Sequence, residues 1–218
     1  MVNIKHKNSN NITFEINDSR NIIKLECERY NHKLIVNNNY DNALEISFLH
    51  EIKIGGDGFP QTPFVHLIGG ELNGEDKKLN DICLREEDTL EYCYRKLEKF
   101  FLMLNNGTYN LKKIIIKNNN KYFGYSYLWI DEYDNYNEII YPNTTEGAII
   151  VGTTSIRNNQ KIKEYEDKIN LNKKSLPIYI TLKDSDKYFV LDGHHKTQAY
   201  INLRENIPAL LIELVERK

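Results

Sequence analysis

Residues 177–200 read PIYITLKDSDKYFVLDGHHKTQAY, and their punctuation decides how the C-terminal third of the chain folds. Two short runs rich in β-branched and aromatic residues, Pro177–Leu182 and Lys187–Leu191, flank Asp184-Ser185-Asp186. Turn residues between two such runs predict a hairpin. Asp192-Gly193 then breaks the second strand, and Gly193 lets the chain swing sharply into a helix with no Cβ in the way. The spacing predicts that helix over His194–Leu203, ending at Glu205-Asn206, before a last strand at Pro208–Val215 (PALLIELV). Upstream, Ala148–Val151 reads as a short apolar strand. Gln160–Ile169 reads as a helix with Ile162, Tyr165 and Ile169 on one face. The order strand, helix, hairpin, helix, strand makes residues 147–218 a compact α+β module, small enough to need support from its neighbour.

The first turn of the helix after Gly193 concentrates the chemistry. Backbone N–H groups there have no intrahelical partner, and with the helix dipole they attract anions. Asp192 can cap those amides, hold a metal ion or orient a histidine. His194 and His195 lie about 100° apart around a helix, so both cannot face one ligand directly. Lys196 adds a point charge suited to phosphate, and Thr197 completes the set of turn residues expected at the ligand. Three basic side chains in succession at a helix N-terminus oppose the dipole, in a chain with 6 histidines altogether. Such a cluster is most readily understood if an anion sits there. No carboxylate/histidine set that would hold a metal accompanies the pair, and adjacent histidines lack the i, i+4 spacing of helical ligands.

The segment PIYITLKDSDKYFVLDGHHKTQAYINLRENIPALLIELV resembles the core of the ParB/sulfiredoxin-like fold. That pattern is a P-I-x-V strand, a turn, a strand ending in D-G-H-H-R or a related turn, a helix and a V-P-V-x-V strand. Upstream, VGTTSIRNNQKIKEYEDKI is similar to the family's first strand and helix, so the likeness spans about residues 147–215. The sulfiredoxin branch carries a cysteine where His194 stands here, which argues against its redox repair chemistry. The chromosome-partitioning branch binds CTP through an arginine-rich turn followed by a helix-turn-helix domain. This chain offers only Lys196 and no room for such a domain before Lys218. The nearest turn is the D-G-H-H-R of the free-serine-kinase-like branch, which moves a phosphoryl group from a nucleotide to a small hydroxyl. The resemblance implies binding of ATP, ADP or CTP with Mg²⁺, with Asp192, His194 and His195 in catalytic roles. Gly193, His194, His195, Lys196 and Thr197 would hold the phosphates. Phosphoryl transfer also needs a base for the acceptor. By chain order alone Glu164 and Glu166 are candidates, against the plainer reading as solvated helix-face charges.

Residues 1–146 read as a separate α+β unit, a mostly antiparallel sheet with one packed helix. Residues 11–17, 21–36 and 43–54 alternate apolar and polar residues, and the second breaks into a hairpin near Tyr30-Asn31-His32-Lys33. A helix is expected over 88–105, with Asp88 as N-cap, Glu91 three residues on, and Asn105-Asn106-Gly107 as a left-handed stop. LKKIIIKN (111–118) and KYFGYSYLWIDEY (121–133) read as a second hairpin, and 141–147 as a linker. GGDGFPQTP (55–63) lacks the GxxxxGK[ST] spacing of a phosphate loop, and a short strand around Phe64–Ile68 follows it. His50-Glu51 and His66 show no metal motif. The aromatic run at 122–129 suits a half-buried strand better than a base-stacking platform.

Composition bounds the rest. Hydrophobic residues make up 40% and charged residues 28%, within the globular range. The net charge of −2 argues against a general nucleic-acid binder. Residues 147–218 hold 12 Lys/Arg against 9 Asp/Glu, whereas the preceding part holds 17 against 22. The mild basic excess suits a nucleotide or phosphorylated small molecule, and the acidic first part suits a protein partner. Cys27, Cys83 and Cys93 lack CxxC spacing and read as reduced thiols. With no signal-peptide core and no apolar stretch of about 18 residues, a cytoplasmic protein without membrane contact is expected. Two functions follow as expectations: a phosphate- or nucleotide-binding protein, with phosphotransfer as its activity, or a non-enzymatic interaction protein (immunity, antitoxin or phage-type) using the fold as a scaffold.

Overall fold

The computed structural model describes residues 1–28, 31–37, 43–47, 52–54, 83–117, 125–126, 149–151 and 159–218. The chain is α+β. Its strands in order are β1 (Val2–Lys7), β2 (Asn11–Ile16), β3 (Ile23–Glu28), β4 (Asn31–Asn37), β5 (Ala43–Ser47) and β6 (Ile52–Ile54). Helix α1 (Leu90–Phe101), β7 (Gly107–Ile116), β8 (Tyr125–Ser126) and β9 (Ile149–Val151) follow. The remainder is α2 (Asn159–Asn170), β10 (Ile178–Leu182), β11 (Lys187–Asp192), α3 (His194–Leu203) and β12 (Ile207–Arg217).

One sheet runs β1-β2-β7-β12-β10-β11-β9-β8, and a second is the meander β3-β4-β5-β6. β12 is the seam of the larger sheet. It pairs antiparallel with β7 from Ile207↔Ile116 to Arg217↔Gly107, and parallel with β10 from Ile178↔Leu210 to Leu182↔Leu214. Its run of apolar residues follows from burial on both faces. Leu210, Ile212 and Leu214 join one core, while Ile207, Ala209 and Leu211 join the other. Residues of the first and last parts of the chain therefore share one sheet.

On one face Phe14, Tyr94, Phe101 and Tyr109 form an aromatic cluster under α1. Phe14 lies 4.3 Å from Phe101 and 5.6 Å from Tyr109 between ring centroids. Such pairs contribute about 0.5–1.5 kcal/mol each beyond the area they bury. β3 joins this core through Ile23 and Leu25, and the Arg217 guanidinium donates to the Leu25 carbonyl. On the other face α2 and α3 pack Ile162, Ile169, Ala199 and Tyr200 over Tyr179, Val190 and Leu211.

Several expectations are corrected. The α1 N-cap is Thr89, whose side chain accepts from the Tyr92 N–H, whereas Asp88 accepts from the Arg85 N–H at 2.7 Å. The helix stops at Phe101 rather than 105, because the following residues bond to β3: Ile23 N–H donates to Met103 O at 2.8 Å and Asn105 N–H to Ile23 O at 3.0 Å. Gly107 is not a left-handed stop. It begins β7, and a Cβ there would lie 2.6 Å from the Glu216 carbonyl, so close strand approach is what requires glycine. Within the expected 43–54 strand, Ala43–Ser47 and Ile52–Ile54 are two antiparallel strands, β5 and β6. β7 and β8 are not hairpin partners: β7 lies between β2 and β12, and β8 pairs in parallel with β9 at the far edge. β1, absent from the sequence reading, is an edge strand on β2. The 55–63 loop, the 64–68 strand, His50, Glu51, His66 and the 141–147 linker lie outside the described residues, as does most of the 122–129 run.

Candidate functional site

β11 carries the chain to Asp192, and α3 starts at His194, as the spacing predicts. Gly193 between them is left-handed at φ 91° and ψ 32° and serves as N-cap with no side-chain hydrogen bond to the first turn. A Cβ on Gly193 would lie 2.9 Å from both Cα and Cβ of Pro177, and 3.0 Å from Lys196 Cδ. The proline opening β10 thus packs directly on the glycine ending β11. That contact explains why the two residues belong to one local pattern.

The side chains around this turn are largely committed to each other. Lys196 is 6% exposed, and its Nζ donates to Asp192 Oδ2 at 2.8 Å and to the Leu176 carbonyl at 3.3 Å. Burial works to raise the Asp192 pKa, but the charge and hydrogen bond of Lys196 outweigh it and hold the carboxyl below its usual range. Burial likewise works to lower the Lys196 pKa, and Asp192 outweighs it, so the ammonium is held above its usual value. Both directions describe a charged, mutually neutralised pair. Thr197 is fully buried, its Oγ1 2.8 Å from the Tyr179 hydroxyl beneath α3, so it faces the core rather than a ligand.

His194 is 7% exposed, and burial pushes its pKa down to about 4 against the partial opposition of Asp192. His195 is half-buried. Burial and then the nearby Lys161 lower its pKa, with Asp192 opposing. Both imidazoles are therefore neutral near pH 7, and Lys196 is neutralised by Asp192. The expectation of three cations on the first turn is corrected accordingly: burial removes two charges and a carboxylate balances the third. What the turn offers instead is hydrogen bonding. His195 Nε2 is enclosed, with no hydrogen-bond partner among the described residues, and α3 has no acidic residue in its first turn.

The candidate bases do not gather here. Glu166 accepts from Asn202 Nδ2 at 2.7 Å, eight residues beyond His194 on α3, or about 12 Å along the axis. Glu164 is exposed on α2. Other groups do approach. Lys161 reaches the turn from α2, close enough for its charge to act on His195, and Tyr165 from the same helix lies within electrostatic reach of Lys196. The segment after residue 82 also arrives, because Leu176 N–H donates to Leu84 O at 2.8 Å and Glu86 N–H to Lys174 O at 3.0 Å. This brings Cys83 Sγ to 3.9 Å from Ser175 Oγ and within electrostatic reach of Lys196. Chain order hinted at α2, but no spacing or motif links Cys83 to residue 196. Cys27, Cys83 and Cys93 are free thiols, and burial raises the pKa of Cys93 to about 11.

Among the described residues no group of three or more His, Cys, Asp or Glu is placed to hold a metal ion, and no helix is long and apolar enough to cross a membrane. No protein-family model, no curated protein and no solved structure matches this chain.

Proposed function

We propose that the turn at 192–196 recognises a phosphate group on a small molecule. A nucleotide is the class suggested by the resemblance of this segment to ParB/sulfiredoxin-like proteins, and phosphoryl transfer to a small hydroxyl is the activity suggested by its D-G-H-H turn. The observation that carries the reading is the enclosed Nε2 of His195, without a hydrogen-bond partner among the described residues, at the start of a helix whose glycine N-cap supplies no side chain. Leaving a buried polar group unsatisfied costs about 1–3 kcal/mol, and such groups in folded proteins call for an explanation. In its Nε2–H tautomer the imidazole donates to a phosphate oxygen, and first-turn backbone amides supply further donors. Asp192 does not repel the anion, because Lys196 balances its charge.

Thermal unfolding with ATP, ADP, CTP, pyrophosphate and inorganic phosphate tests this. A ligand at a hundredfold excess over its Kd stabilises by about 2.7 kcal/mol, or about 5–10 °C in a chain of this size. His195→Ala is expected to abolish the shift, and His195→Gln, which keeps a donor, to retain part of it. A ligand that shifts the Tm is then assayed for loss of its terminal phosphate in the presence of small alcohols. Absence of any shift at millimolar concentrations, with and without Mg²⁺, overturns the proposal and favours the interaction-scaffold reading.

A further inference from the structure

The Asp192–Lys196 pair has the form of a filled cation site. The carboxylate Oδ2 and the Leu176 carbonyl oxygen converge on one buried point, at 2.8 and 3.3 Å from Lys196 Nζ. Oxygen donors of this kind, one anionic and one a backbone carbonyl, are what hard divalent cations bind. The lysine side chain is 7% exposed, against 35% for Asp192. Its stem runs over Gly193, with Cδ 3.0 Å from where a Cβ would be, so the ammonium is delivered by packing rather than by a mobile surface chain.

We infer that Lys196 is the resident cation of this turn, filling the place of a divalent ion between Asp192 and Leu176, so that ligand binding there proceeds without Mg²⁺. The pair's charge balance supports this. A carboxylate already matched by an ammonium gains little from a second cation, and the neighbouring histidines, both neutral, add no negative charge that would recruit one. Among the described residues no group of three or more His, Cys, Asp or Glu, Asp192 included, is placed to hold a metal ion. The cation half of this inference stands on geometry alone, whereas the statement about ligand binding rests on the phosphate reading above.

Mn²⁺ binding, followed by water-proton relaxation on the full chain, tests the cation half with no phosphate ligand present. The wild type is expected to show no Mn²⁺ site that Asp192→Asn removes. Lys196→Met vacates the place and is expected to gain an Mn²⁺ site, with a Tm that rises by about 5 °C or more at saturating Mn²⁺. The double variant Asp192→Asn/Lys196→Met is expected to lose both effects. An Mn²⁺ site in the wild type that Asp192→Asn abolishes overturns the inference, as does a folded Lys196→Met that ignores Mn²⁺. If Lys196→Met folds only when Mn²⁺ is added, the inference is supported. If it folds under neither condition, the wild-type and Asp192→Asn comparison decides. For the ligand half, the Tm shift caused by inorganic phosphate is measured in EDTA and in Mg²⁺. Equal shifts support metal-independent binding, and a shift that requires Mg²⁺ overturns it. No shift in either buffer removes the phosphate reading while leaving the Mn²⁺ result to judge the resident cation.

Discussion

Replacing Gly193 by alanine attacks the turn at two independent points. The residue sits at φ 91°, where an L side chain meets its own backbone, at a cost of about 1–2 kcal/mol. The new Cβ would also stand 2.9 Å from Pro177 Cα and Cβ, atoms held by backbone and ring that cannot rotate aside. Forced overpacking of this kind costs about 1–3 kcal/mol. The sum, about 2–5 kcal/mol, corresponds to a fall in Tm of about 4–20 °C for a chain of this length. Urea unfolding followed by circular dichroism measures it, with thermal melts as the second probe. Gly193→Asn separates the two terms, because asparagine tolerates positive φ better while keeping the Cβ, and it should fall between wild type and alanine. An alanine variant within about 0.5 kcal/mol of wild type would refute both the left-handed turn and its packing on Pro177.

Two further outcomes follow from the same region. His194 is neutral when folded, with a pKa of about 4, whereas the unfolded imidazole takes a proton near 6.5. Its contribution is therefore complete above pH 6.5 and is lost as pH falls toward 4, at about 1.4 kcal/mol per unit and about 3 kcal/mol in total. Urea unfolding at pH 7 and pH 5 should show this slope shrink by about one proton in His194→Asn, and an unchanged slope would contradict burial of the neutral ring. Tyr179→Phe removes the hydroxyl partner of the buried Thr197 Oγ1 and should cost about 1–2 kcal/mol. Adding Thr197→Val should bring less than a second full loss in a double-mutant cycle, whereas strict additivity would mean the two hydroxyls do not interact.

The C-terminal elements were legible because their signals are local. The apolar runs, the Asp-Ser-Asp turn and Gly193 placed β10, β11, α3 and β12 within two residues of their observed bounds. α1 was overextended because Leu104 continues the helical periodicity, yet the chain leaves the helix to bond with β3, a tertiary preference that no helix pattern contains. β1 has no legible sequence signal because five of its six residues are exposed, so no hydrophobic alternation marks it and its order comes from pairing with β2. The position of Asp192–Thr197 at the junction of β11 and α3 is legible in the sequence, but the protonation of its side chains is not. Burial, which neutralises His194 and turns Thr197 inward, is a property of the assembled core. The approach of Cys83 and Lys161 depends on pairing and packing between distant segments, for which the one-dimensional pattern has no marker.

The central position of β12 has a kinetic consequence. Residues 207–217 lie between β7 and β10, so until they are in place the larger sheet exists as two separate pieces with open edges. The closing contacts join positions about a hundred residues apart, as in Leu111 with Ile212. Because loop entropy must be lost before such pairings stabilise anything, the folding barrier should be dominated by the docking of this strand. During synthesis the β7 and β10 edges would stay unsealed until β12 emerges, which leaves that interval open to chaperone capture or aggregation.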